Sequence, residues 1–298
     1  MGITKLFRPL LLTNGLVGVT RKPTLYVDTV LGSNTKSGTS WSSAKATMAA
    51  AFAIVEDDAI IYVRGDVREQ ILAPLGVQGV AIIGASGGNN HHDDAVRWRV
   101  AATPVADTPL LTLREQGWEV QHILFVPDAN AVVGVRLRRA ESATYPDASH
   151  AIIRDCRFIG ATGKGVENHG GVSQITVEDC IFDGLTTGIG HTGGAGIDSP
   201  NRWRIERNTF KGNTNHITLP GYDCLVKDNV FLTDAGTDNV NLSGGVAGGN
   251  MVLMNFFATA EASIANSNGY AGGSVGNDGQ WRNYSNNTAA MTVGIPGA

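Results

Sequence analysis

Two short phrases set a histidine in a glycine-bounded turn: Glu167-Asn168-His169-Gly170 and Gly190-His191-Thr192-Gly193. Imidazole is the side chain whose ordinary pKa lies closest to neutrality, so beside carboxylates it can act as general base or acid. Asp183 precedes the second phrase and Asp198 follows it. With His191 they form the one candidate catalytic set, a shallow polar site. Hydrolysis of a glycosidic bond requires two carboxyl groups roughly 5–9.5 Å apart. Elimination requires a hard cation held by several oxygens, and a base to take the proton. Asp155, Glu178, Asp179, Glu206, Asp223 and Asp228 add further carboxylates. Yet Asp155, Asp179 and Asp228 occupy one position of a recurring phrase, and Arg207 holds that position between them. This alternation of sign reads as a charge-compensated surface ladder, not a metal site. His91-His92-Asp93-Asp94 has metal-binding residue types, but adjacent ligands in a polar turn read as solvated. The chain is therefore expected to have no catalytic residues, metal or cofactor, with Asp183, His191 and Asp198 as the enzymatic alternative.

The elements that would position these residues come from a repeat. Ile153-Arg154-Asp155-Cys156-Arg157-Phe158 is echoed by Val177-Glu178-Asp179-Cys180-Ile181-Phe182, then by Ile205-Glu206-Arg207-Asn208-Thr209-Phe210 and Val226-Lys227-Asp228-Asn229-Val230-Phe231. A weaker fifth copy runs from Ala247 through Asn250 to Val252. The apolar ends of the five copies are 24, 28, 21 and 21 residues apart. A recurring period in this range marks a stacked repeat architecture. Apolar and polar residues alternate within each copy and break at Gly, Asn or Asp, as in short strands joined by turns. The expected fold is all-β: a single-stranded right-handed parallel β-helix of about nine coils with a short N-terminal capping helix. Its coils stack at roughly 4.8 Å. Phe then stacks on Phe inside the rod, and the Cys and Asn positions form an inward or corner column in which stacked Asn bond along the axis.

Ahead of the repeat, Tyr26-Val27-Asp28 reads as a strand and Gly32-Ser33-Asn34 to Trp41 as a loop. A helix is expected from an N-cap at Ser42 or Ser43 to about Glu56, with Ala44, Met48, Ala51, Phe52 and Val55 on one face. Asp58, Ile60, Tyr62, Val63, Arg68 and Glu69 follow. The order of strand, Gly-Ser-Asn loop, tryptophan, helix and Asp-x-Ile-x-Tyr-Val strand resembles the entry segment of the pectate-lyase-like right-handed parallel β-helix superfamily. The resemblance covers roughly Tyr26 to Asn255 and is specific for fold. Hydrolases of the polygalacturonase type in that superfamily carry Asn-x-Asp, Asp-Asp, Gly-His-Gly and Arg-x-Lys in sequence, and only fragments of that set occur here. Phage spikes are also similar to it.

The remaining features bound the function. Of 298 residues, 38 are glycine, about twice the usual ~7% share, as a turn-rich solenoid requires. A net charge of −4 is too small to point to nucleic acid or an anionic membrane. No apolar run reaches the ~18 residues of a membrane span. The three cysteines cannot all pair, and read as reduced, buried residues. Leu6, Phe7, Leu10, Leu11, Leu12, Leu16 and Val17 make residues 1–23 an apolar docking arm, the run being too broken for a signal peptide. The division is residues 1–23 arm, 24–69 entry strand and cap, 70–256 β-helix, and 257–298 C-terminal cap or tail. The expectation is a structural virion protein of a tailed bacteriophage, made in the host cytoplasm: a spike, decoration or tail-associated rod. Its partners are other virion proteins through the arm, and further copies of itself as a homotrimer. Host surface polysaccharide is a possible ligand, and the alternative function is a carbohydrate-active lyase or hydrolase.

Overall fold

The computed structural model describes residues 22–85, 96–129, 132–138, 147–193, 200–232, 239–242 and 249–258, and the backbone of 270–271, 279–281 and 284–285. The arm residues Leu6 to Val17, the His91–Asp94 cluster and Asp198 lie outside them.

The chain winds into a right-handed parallel β-helix with three sheets, here called A, B and C, of ten, nine and eight strands. The entry strand Thr24–Asp28 adds to A alone; from Ile60 on, the chain contributes a strand to A, then to B, then to C in turn. The register is continuous: Ile153, Val177, Ile205, Val226 and Val252 stand over one another in sheet A. In sheet B, Phe125, Phe158, Phe182, Phe210, Phe231 and Phe257 do the same. These rings and Trp98 form one stack, with successive centroids 5.6, 5.1, 4.9, 4.9, 5.0 and 4.7 Å apart. All are buried, as are Trp118 and Trp203. The ladder needs space on its flank. A Cβ on Gly165 of sheet C would lie 2.6 Å from the Phe182 ring, so only glycine fits.

The corner between sheets A and B is a single tight turn used again and again. His122, Asp155, Asp179, Arg207, Asp228 and Met254 all sit there with φ between 49° and 56°. The next residue points inward. Cys180 N–H donates to Asn208 Oδ1 at 2.9 Å, Asn208 N–H to Asn229 Oδ1 at 2.9 Å, and Asn229 N–H to Asn255 Oδ1 at 3.0 Å. Each of these Asn amides also donates to a sheet A carbonyl: Val177, Ile205 or Val226. The left-handed conformation therefore belongs to the residue before the asparagine, and the asparagine serves as buried hydrogen-bonding glue.

Two expectations shift. The fifth copy of the phrase is Val252-Leu253-Met254-Asn255-Phe256-Phe257, not the one ending at Val252: Phe257 pairs with Phe231, and Asn250 instead accepts from Cys224 N–H. The capping helix is shorter. A 3-10 turn, Trp41–Ser43, is capped by Ser40, and the α-helix Met48–Phe52 is capped by Thr47. Between them the chain is extended, because Lys45 N–H donates to Tyr26 O and Asp28 N–H to Lys45 O. Glu69 closes the helix start by accepting from the Met48 and Ala49 N–H groups at 2.7 and 2.8 Å. Met48, Ala51, Phe52 and Val55 are buried over the first coils, as a terminal cap requires.

Candidate functional site

Asp183 and His191 belong to the same coil but to different sheets. Asp183 ends the sheet B strand Ile181–Asp183, with Arg157 Nη2 at 3.6 Å and Lys211 Nζ at 3.9 Å. His191 lies near the end of the sheet C strand Thr187–Thr192, in register with Asn168. The carboxylate ladder is charge-compensated as expected: Arg207 Nη2 meets Glu178 at 2.6 Å, Arg207 Nε meets Asp179 at 2.8 Å, and Lys227 meets Asp228 at 2.9 Å. Among the described residues no three His, Cys, Asp or Glu side chains come together as metal ligands.

The polar cluster that the fold does assemble lies on sheet C, around the first histidine phrase. The strand Lys164–His169 lies between Val133–Arg138 and Thr187–Thr192. Register sets Arg136, Glu167 and Gly190 in one row and Arg138, His169 and Thr192 two rows on, with Leu137, Asn168 and His191 between them. Glu167 is only 2% exposed. Its Oε2 accepts from Arg136 Nε at 2.5 Å, and its Oε1 accepts from Lys164 Nζ and Thr192 Oγ1, each at 2.6 Å. Lys164 Nζ also donates to Thr192 Oγ1 at 2.5 Å. Gly190 leaves room for this, since a Cβ there would lie 3.1 Å from Thr187 Cγ2 and 3.2 Å from Lys164 Cδ.

Burial alone would raise the Glu167 pKa. The hydrogen bonds from Lys164 and Thr192 and the charges of Arg136 and Lys164 outweigh it and hold the carboxyl below its ordinary range. Glu167 is thus a fixed anion, unsuited to donate a proton. His169 behaves in the opposite sense. Burial first, then the charges of Arg136 and Arg138, push its pKa below 6.5, against the pull of Glu167. A neutral imidazole near the charges of Arg136, Arg138 and Glu167 is a free base at neutral pH, able to accept a proton. Asn168, between these two residues, is structural: its Oδ1 accepts from Gly171 and Val172 N–H at 3.1 Å and shapes the following turn.

Sequence reading singled out Glu167 and His169 but not the partners that define their chemistry. Arg136 and Thr192 are 31 and 25 residues away from Glu167. Those separations are one coil in each direction, so the coil period is the signal that could have found them.

No family model matches the chain, and no curated protein matches it. Solved structures do. Pectate lyase Pel9A is 13% identical, with 92% of this chain and 83% of that one covered at a TM-score of 0.50. A rhamnogalacturonan lyase is 9% identical, with 88% and 87% covered at 0.45. The Dettilon tailspike protein is 11% identical, with 80% and 64% covered at 0.25. The chain has the pectate-lyase-like right-handed parallel β-helix fold. Pectate lyase Pel9A shares it, at an identity that shows the fold alone.

Proposed function

We propose that this chain is a structural protein of a tailed bacteriophage particle: a rigid β-helix rod, as a spike, decoration or tail-associated subunit. It is held to the particle by residues 1–23 and made in the host cytoplasm. Stiffness carries this reading. One unbroken stack of seven rings, from Trp98 to Phe257, runs beside an asparagine ladder, leaving the core no hinge over that length. Glu178, Asp179, Asp183, Glu206 and Asp228, which a hydrolase would use, are each engaged by a cation. The buried thiols suit manufacture in a reducing cytoplasm. The test is position: a tag on the chain should label purified particles at one symmetric location. Asp183→Asn, His191→Ala and Asp198→Asn should leave assembly and infection unchanged. Particles that lack the protein yet assemble and infect normally would refute the reading.

A second reading rests on the sheet C cluster. Neutral His169 beside Arg136 and Arg138 suits a polysaccharide with acidic groups, bound or cleaved at the rod's side. Purified protein would then release new ends from host surface polysaccharide, and His169→Ala would abolish the release while leaving the thermal transition in place.

A further inference from the structure

We draw no further inference here: the strongest candidate, the fully buried carboxyl of Glu115 at the corner between sheets C and A, has one oxygen on the Gly76 N–H and the other without a partner, but among the described residues no three His, Cys, Asp or Glu side chains gather as ligands, and nothing in the structure shows what would occupy it.

Discussion

Glu167 is nearly fully buried, and its three donors fix its charge. Glu167→Gln keeps the shape and one acceptor oxygen but leaves Lys164 and Arg136 without their counter-ion. Because those cations are 28% and 20% exposed, the loss should be about 1–3 kcal/mol, below the range for a wholly buried pair. The sign of the pH dependence follows from the depressed carboxyl. Its contribution is complete above the ordinary value of 4.5 and disappears as pH falls through the lower folded value. Urea titrations should therefore show wild type and Glu167→Gln converging in acid and separating at neutral pH. His169 gives a companion measurement. Its imidazole should titrate below 6.5 by NMR, and Arg138→Gln should move the midpoint upward by removing one of the charges that lower it. An unchanged midpoint would mean that Arg138 does not act on His169. At this scale the sequence was half legible: the glycine-bounded turns exposed Glu167 and His169, but their sheet neighbours became visible only with the coil register.

Strands, turns and ladders are where sequence and structure agree most closely, because each coil repeats the same physical problem. Phe158, Phe182, Phe210 and Phe231 were readable as a stack from spacing alone. Trp98 and Phe257 were not: the long coil between Phe125 and Phe158 separates Trp98 from the regular repeat, and Asn250 offered a competing match to the phrase ahead of Asn255 and Phe257. The helix Met48–Phe52 was overextended for another reason: Lys45 and Ala46 suit a helix locally, but Lys45 pairs with the first strand instead, a tertiary override of propensity. The two ladders differ in what they contribute. Phe182→Ala should cost about 3–5 kcal/mol, as truncation of a buried phenylalanine does. Asn208→Ala removes few atoms, yet it strands the Cys180 N–H in the core and takes the second donor from the Val177 carbonyl. One such buried group costs about 1–3 kcal/mol, a large effect for so small a change in volume. Denaturant unfolding of both variants checks this. A loss under about 1 kcal/mol for Asn208→Ala would show that water enters the column and satisfies that group. Cys156 and Cys180 share this column, and Cys224 lies at another corner of its coil. Burial, and then the neighbouring Cys156, push the Cys180 pKa well up, so native protein should resist alkylation at all three cysteines until it is unfolded.

At the scale of the whole molecule, stability is a sum over neighbouring coils, so the question is which segments the sum includes. The entry strand is included. Thr24 to Asp28 pair along the length of Ile60–Arg64, and Ile60 N–H donates to the Pro23 carbonyl at 2.8 Å. Arg64 is held by Asp28 and lies over the Trp41 ring at 4.5 Å, which ties the cap to the first coil. A chain beginning at Lys22 therefore keeps every contact of the cap and should retain its β-sheet spectrum and thermal midpoint. It lacks Leu6, Phe7, Leu10, Leu11, Leu12, Leu16 and Val17, the apolar residues to which docking is assigned. Such a chain should fold as the full-length protein does but fail to enter particles when it is the only copy supplied. Loss of the thermal transition would place residues 1–21 in the solenoid core rather than in an arm. Normal incorporation would move docking to the coils or to the segment after residue 258, and would take the attachment role away from the arm altogether.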